Sequence, residues 1–363
     1  MGVDAQRGNV AIFAGGTGGH VYPALAVAFE LDRRGYAVHW YGTERGLEAR
    51  VVPEAGFPLH LLRVSGIRGK GLLARLRGLA AMFLALLQAV FTMGRARPLV
   101  ALGMGGYVAG PAGLASRLLR VPLVIHEQNS VAGTTNRLLR RLATAVLTAY
   151  PGAFGQQPTR QVGNPVREDL LERGEATGYH YDGNRALRLF VVGGSLGALA
   201  INEVLPAALG RIDAALEVRH QTGPAHIDKV ADLYAAAGVE RVEILPYIEN
   251  MADAYAWSDL VLCRAGALTV AELTIMGRPS IMVPLPNAID DHQAGNANWL
   301  AEQGGAMVLP QADMSAESVA ALVDQLARSP ERLNAMATAA RGAAMPGATK
   351  AVADICEEVR RGH

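Results

Sequence analysis

The sequence predicts an α/β protein of two domains, each a parallel sheet covered by helices. Three observations carry that prediction. A device of apolar strand, glycine turn and helix occurs twice: Ala11-Ile12-Phe13-Ala14-Gly15-Gly16-Thr17-Gly18-Gly19-His20 and Leu189-Phe190-Val191-Val192-Gly193-Gly194-Ser195-Leu196-Gly197-Ala198. Short apolar runs bounded by Gly or Pro alternate with helical stretches along the chain. At 363 residues, half of them hydrophobic and 18% charged, the chain can build a core in each domain.

In the first half, strands are expected at Val10–Ala14, Ala37–Gly42, Leu59–Val64, Leu99–Leu102, Pro122–His126 and Ala145–Thr148, with Pro23–Arg34 among the helices between them. A Pro/Gly/Gln-rich stretch from Tyr150 to Pro158 leads to Gly163-Asn164-Pro165, read as a boundary, so that 1–164 and 165–345 form the two domains. The pattern restarts with strands at Leu187–Val192, Glu217–Thr222, Val242–Pro246, Leu260–Arg264, Ser280–Val283 and Ala306–Leu309. The last helical stretch, Lys350–Arg361, fits either domain. Ligands of open parallel sheets sit beyond the carboxyl ends of the strands, so both sets of loops are expected to line one interdomain cleft.

The first glycine turn is a poor dinucleotide fingerprint. Its spacing is not G-x-G-x-x-G, the second strand ends Gly42-Thr43-Glu44, and there is no Walker lysine. Its glycines fit a phosphate or a plain tight turn. His20 follows at the helix start, where an imidazole can act as general base, touch substrate, or only hydrogen-bond the loop. Gly103-Met104-Gly105-Gly106-Tyr107 offers a second nest of N–H groups. His126-Glu127-Gln128-Asn129 sets four polar residues after an apolar strand, costly unless they face a site, although Asn129 can also cap a helix.

In the second half, Gly193-Gly194-Ser195 can hold a diphosphate by backbone N–H and hydroxyl. Arg264-Ala265-Gly266-Ala267-Leu268-Thr269-Val270-Ala271-Glu272 opens a helix with small residues that admit a ligand; Glu272 suits a ribose diol, or simply the helix dipole. Asp290-Asp291-His292-Gln293 and Asn296 supply amides for sugar hydroxyls.

The net charge of +1 says little, but between Ala55 and His126 there is no acidic residue while nine are Lys or Arg, which implies an anionic surface or ligand, or a solvated face. Within this stretch Leu72, Leu76, Leu79 and Phe83 lie on a wide apolar face beside Arg75 and Arg77. The run Leu79–Met93 is 15 residues, short of the roughly 20 of a spanning helix. Part must be core; the rest is read as a patch for an anionic membrane. The two cysteines show neither metal nor disulfide spacing, and no basic-then-apolar leader precedes Val10, which fits a reducing cytoplasm.

Six segments in this order make the chain resemble the MurG family of bacterial glycosyltransferases: the first glycine turn, Gly105-Gly106-Tyr107, His126-Glu127-Gln128-Asn129, Gly163-Asn164-Pro165-Val166-Arg167, the second glycine turn, and Gly266–Glu272. The family adds N-acetylglucosamine to lipid I to make lipid II. The resemblance implies a GT-B fold, two Rossmann-like domains with a cleft between them, and a C-terminal helix, 346–363, that packs back on the first. It implies that the donor, UDP-GlcNAc, meets Arg167, Ser195, Ile248, Ala267, Leu268, Thr269, Val270, Ala271, Glu272, Gln293 and Asn296, with Thr17, Gly18, Gly19 and Asn129 approaching from the other domain. The acceptor diphosphate is expected at Gly15, Gly16, Gly105, Gly106 and Tyr107. One departure is local: where the family often has a basic residue, paired glutamines and an aromatic, this chain has Asp291-His292-Gln293-Ala294-Gly295.

The expected reaction is an inverting displacement with His20 as base and Glu127 in reserve. No Asp-x-Asp stands in an obvious metal position, so no cofactor is expected to be required, though a divalent metal can assist. The implied partners are lipid I, the anionic inner-leaflet surface and cell-wall synthesis proteins, with no nucleic acid, at the cytoplasmic face of the inner membrane. The alternatives are another GT-B enzyme such as a UDP-GlcNAc 2-epimerase or lipid glucosyltransferase, a nicotinamide-dependent dehydrogenase, and a non-catalytic membrane scaffold.

Overall fold

A computed structural model describes residues 7–64, 72–194, 197–286 and 291–362, with only the backbone of 72–77. The chain divides into unit 1, Met1–Arg167 with Pro346–His363, and unit 2, Glu168–Met345.

Unit 1 runs β1 (Gly8–Ala14), α1 (Gly18–Arg33), β2 (Tyr36–Gly42), α2 (Glu48–Glu54), β3 (Leu59–Leu61), α3 (Leu72–Ala96), β4 (Val100–Gly105), α4 (Ala109–Leu118), β5 (Leu123–Glu127), α5 (Thr134–Leu139), β6 (Ala145–Thr148) and β7 (Arg160–Gln161). The sheet is parallel, in the order β3-β2-β1-β4-β5-β6-β7. β1 is apolar on both faces because both are covered. Val10, Ile12 and Ala14 pack with α1 and β2, while Ala11 and Phe13 pack with the α3–α4 layer.

Helix α1 begins five residues before the expected Pro23. His20 and Val21 both donate their N–H to the Thr17 carbonyl, so Gly18–His20 already form its first turn. Pro23 lies inside the helix, where it has no N–H for the Gly19 carbonyl. Helix α3 is longer than the apolar run suggests. Ala85, Ala89 and Met93, four apart, are buried against Ala109, Ala112 and Ala115 at α4. Among the described residues, Gly78–Ala96 is the one stretch long and apolar enough to cross a membrane. Its buried stripe makes it a layer of unit 1.

Unit 2 runs α6 (Glu168–Ala176), β8 (Leu187–Val192), α7 (Leu199–Leu209), β9 (Leu216–Gln221), α8 (Ile227–Ala236), β10 (Val242–Leu245), α9 (Met251–Trp257), β11 (Leu260–Cys263), α10 (Ala267–Met276), β12 (Ser280–Met282), α11 (His292–Glu302), β13 (Ala306–Val308), α12 (Ala316–Ala327) and α13 (Pro330–Gly342). Its parallel order is β10-β9-β8-β11-β12-β13.

The last helix, α14 (Ala348–Arg361), belongs to unit 1. Val352, Ile355, Cys356 and Val359 recur at helical spacing and are buried beside α1 and β4. Ion pairs of Arg34 with Asp354 and Arg160 with Glu358, both 2.7 Å, flank that stripe. Such surface pairs contribute about 0–1 kcal/mol each. Burying each aliphatic side chain stabilises by about 1.5–3 kcal/mol, so packing holds the helix. Both cysteines are buried and free, and burial pushes each thiol up to about 12.

Candidate functional site

In unit 1 the strand order reverses at β1, which has β2 on one side and β4 on the other. The turns after β1 and β4 therefore flank the topological switch point, where parallel sheets open to ligands. Two glycines bring these turns together. A Cβ at Gly106, where φ is +83°, would lie 2.3 Å from the Gly15 carbonyl oxygen. One at Gly105 would lie 3.0 Å from Cε1 and Nδ1 of His20. Gly15 and Gly105 are buried, so at the expected acceptor site only Gly16, Gly106 and Tyr107 present surface, Tyr107 being exposed. Thr17 is exposed and Gly18 and Gly19 are half-buried.

His20 is the third residue of α1 and half-buried. Its Nδ1 lies 3.1 Å from Oε1 of Gln128, whose Nε2 donates to the Met104 carbonyl at 2.9 Å. Among the described residues, Nε2 of His20 has no hydrogen-bond partner.

The polar tetrad at the end of β5 differs from expectation. His126, Glu127 and Gln128 are 0%, 2% and 1% exposed. They do not line a surface. They tie loops that the sheet edge would otherwise leave unheld. His126 Nε2 donates to the Gly163 carbonyl at 2.9 Å, and burial holds its pKa down at about 4. The Glu127 carboxylate accepts from Asn129 N (3.0 Å), Asn129 Nδ2 (3.2 Å), Gly133 N (3.0 Å) and Asn136 Nδ2 (2.8 Å). Four donors commit the proposed reserve base to the loop 129–136. Asn129 is half-buried beside it and is not a helix cap; Gly133 is the N-cap of α5.

One residue of this site goes unnoticed in the sequence. Glu48, fully buried at the start of α2, accepts from Gly16 N (2.9 Å), Thr43 N (2.8 Å) and Thr43 Oγ1 (2.7 Å). It fixes the first glycine turn to the end of β2. A lone Glu in a seven-residue helix carries no periodic signal of that role.

Unit 2 repeats the geometry at β8, which lies between β9 and β11. A Cβ at Gly197 (φ +74°) would lie 1.8 Å from the Thr222 carbonyl oxygen, so glycine is needed for the β8 turn to meet the end of β9. Gln221 Nε2 donates to the Gly194 carbonyl at 3.0 Å. Ser195 lies outside the described residues. After β11, Gly266 caps α10, and Leu268, Thr269 and Ala271 are half-buried on its first turns. Ala267 is 5% exposed, and Glu272 accepts from the Tyr255 hydroxyl at 3.0 Å. Ile248 is half-buried after β10, Gln293 accepts from Leu285 N at 3.0 Å, and Arg167 is half-buried at the end of unit 1.

Two expected donor contacts fall elsewhere. Val270 is fully buried on α10 and presents no surface to a ligand. Asn296 is also fully buried, and its Nδ2 donates to the Ala265 carbonyl at 3.1 Å, which anchors the entry to α10. In unit 1, Leu72, Arg75, Leu76 and Arg77 lie in α3 with side chains outside the described residues, whereas Leu79 and Phe83 are 58% and 60% exposed. Among the described residues, no three His, Cys, Asp or Glu side chains cluster as metal ligands.

Comparison with known proteins agrees with this architecture. The glycosyltransferase family 28 N-terminal domain matches residues 10–148 and the C-terminal domain matches 188–359. Two relatives carry the name UDP-N-acetylglucosamine--N-acetylmuramyl-(pentapeptide) pyrophosphoryl-undecaprenol N-acetylglucosamine transferase. That of Ectopseudomonas mendocina is 53% identical, over 98% of this chain and 100% of its own. That of Stutzerimonas stutzeri is 54% identical, over 98% and 99%. The crystal structure of Acinetobacter baumannii MurG superposes with a TM-score of 0.84 at 39% identity, covering 97% of this chain and 99% of that one. With two switch-point glycine turns on parallel sheets, both domains matched and relatives above half identity along its length, the chain belongs to glycosyltransferase family 28 and has the GT-B fold.

Proposed function

We propose that this chain transfers N-acetylglucosamine from UDP-N-acetylglucosamine to the 4-hydroxyl of N-acetylmuramic acid in undecaprenyl-pyrophosphoryl-N-acetylmuramyl-pentapeptide, with inversion, releasing lipid II and UDP. The observation that supports it most strongly is the identity above 50%, over nearly the whole length, to transferases named for that reaction.

The chemistry divides between the units. Unit 1 brings the base. The 4-hydroxyl oxygen attacks the anomeric carbon, its proton passes to His20 Nε2, and the bond from that carbon to the diphosphate oxygen breaks with its electron pair on UDP. Base catalysis of this kind contributes typically ~10²–10⁴-fold. Unit 2 holds the donor. The N-termini of α7 and α10 offer N–H groups and a positive dipole end to the leaving diphosphate. Ala267, Leu268, Thr269 and Ala271 border it; Glu272 takes the ribose, the Ile248 backbone the uracil and Gln293 the sugar. In unit 1, Gly16, Gly106 and Tyr107 take the acceptor diphosphate. Fixed N–H groups do the charge stabilisation here, so transfer is expected to persist in excess EDTA at more than half its rate; a loss that Mg²⁺ restores would overturn this.

The acceptor carries a lipid, and unit 1 carries a surface for it. Leu79, Phe83, Leu87 and Phe91 recur every four residues on α3 and are exposed, with Leu114 and Leu118 on α4 and Leu138 on α5. Arg95, Arg97, Arg117 and Arg120 are exposed near them in the chain. An apolar stripe with basic flanks suits peripheral attachment to an anionic bilayer, here the cytoplasmic face of the inner membrane.

The direct test is transfer of labelled N-acetylglucosamine to a short-chain lipid I analogue. The expected result is a labelled disaccharide lipid with one UDP released per transfer. UDP release without labelled lipid, or formation of a UDP-sugar epimer, would overturn the proposal.

A further inference from the structure

We propose that Gln128 is a positioning residue that fixes the tautomer of His20, so that Nδ1 carries the ring proton and Nε2 is held open to accept one. The inference rests on the reading of His20 as the base. The Gln128 amide can be oriented from its surroundings. The Met104 carbonyl can only accept, so the Gln128 atom 2.9 Å from it must be the NH₂. The His126 carbonyl, 3.4 Å from the same nitrogen, is a second acceptor on that side. Flipping the amide would set its oxygen against both carbonyls. Oε1 therefore faces His20, 3.1 Å from Nδ1. An amide oxygen only accepts, so Nδ1 must donate, and a neutral imidazole with its proton there has its lone pair on Nε2.

The opposite tautomer would set two lone pairs against each other at that distance. Its cost is that of an unmade buried hydrogen bond, equivalent to a preference of about tenfold to a hundredfold. The rest of the pocket leaves the choice to Gln128. Gly105 gives the ring room and no polar side chain. Of the charged groups nearby, Glu48 is bound to the Gly16 and Thr43 amides and Glu127 to Asn129, Gly133 and Asn136. Tyr107, on the β4 turn, is exposed. None of the three has a described contact with the imidazole. A neutral dipole thus orients the base without a charge to stabilise its protonated form.

The test uses the full chain. With ¹⁵N-labelled histidine, the His20 signals, assigned by their loss in H20N, are read at a pH where the ring is neutral. The expected pattern is a pyrrole-type Nδ1 and a pyridine-type Nε2; the reverse overturns the proposal. In kinetics, Gln128→Met removes the acceptor and is expected to lower kcat about 10- to 100-fold with UDP affinity changed less than twofold. Gln128→Glu keeps an acceptor opposite Nδ1, and its second oxygen, facing the Met104 and His126 carbonyls, holds a proton to donate there as the amide did. Its kcat should stay within tenfold of wild type. Equal losses in both variants, or wild-type kcat in Q128M, would sink the idea. If H20A retains wild-type kcat the base reading fails; if H20A is inactive while Q128M is not, only the role of Gln128 fails. Should Q128M not fold, the NMR pattern and Q128E still decide.

Discussion

Each unit holds a histidine against a side-chain amide near its switch-point turn, and the two differ in what is left over. His220 on β9 is 1% exposed, with Nε2 bonded to Asn202 Oδ1 at 3.1 Å and Nδ1 to the Tyr234 hydroxyl at 3.0 Å. Asn202 is itself oriented by donating Nδ2 to the Thr222 carbonyl at 2.9 Å. Desolvation holds the His220 pKa down at about 3, so this ring stays neutral and structural. His20 has the same kind of amide partner but only one, and its second nitrogen has no partner among the described residues. A histidine near a glycine turn is thus not a base by position. In the proposed mechanism the histidine that serves as base is the one with a single nitrogen tied and the other left at a half-buried surface.

The largest effect expected from this contrast is on turnover. His20→Ala should lower kcat by about two orders of magnitude or more while sparing UDP affinity. Glu127→Gln is the companion variant. It weakens a carboxylate that holds four loop donors, so its loss should appear in stability and in kcat together. If E127Q removed a hundredfold of kcat with unfolding unchanged, and H20A did not, the base would be Glu127 and the comparison would collapse.

Much of the fold was readable because both sheets are buried on both faces. Each of the twelve expected strands is present, since central parallel strands must be apolar runs. β7 escaped because two exposed polar residues, Arg160 and Gln161, pair only at the sheet edge. The candidate site was readable where chain neighbours make it, as at His20 and the glycine turns. It was misread where the partner is distant in sequence. His126, Glu127 and Gln128 looked like a surface because Gly163, Asn136 and Met104, to which they hydrogen-bond, lie 37, 9 and 24 residues away. Glu48 and Asn296 illustrate the same limit: a buried polar residue and an exposed one are spelled alike, and only the tertiary partner tells them apart.

The second test concerns the tied histidine. His220 binds no proton in the folded state until the pH nears 3, while unfolded histidine titrates near ~6.5. Between those values the unfolded chain holds the extra proton, so this contribution is whole above ~6.5 and is lost as the pH falls. The slope is up to about 1.4 kcal/mol per pH unit for one such group. His126, held at about 4, acts with the same sign down to that pH. Urea midpoints between pH 6.5 and 4.5 should therefore fall for the wild type, and His220→Gln should remove about 1 kcal/mol per unit of that slope. An unchanged slope would mean that His220 is solvated, and the contrast with His20 would lose its basis.

The smallest effect separates the units by surface. The exposed apolar stripe of α3 is in unit 1, on the helix whose other face, Ala85, Ala89 and Met93, is core. Phe83→Gln touches only the exposed side. Full burial of a Phe side chain is worth about 1.5–3 kcal/mol, and a side chain resting in a bilayer interface gains part of that, so affinity for phosphatidylglycerol vesicles should fall about tenfold. Transfer to a soluble acceptor should hold within twofold, because Phe83 is not among the residues that hold either turn. Ala85→Gln, on the buried side of the same helix, should do the opposite, lowering stability through overpacking before it affects vesicle binding. Equal vesicle affinity for wild type and F83Q would show that the stripe does not meet the bilayer, leaving its four aromatic and aliphatic side chains without a function in this scheme.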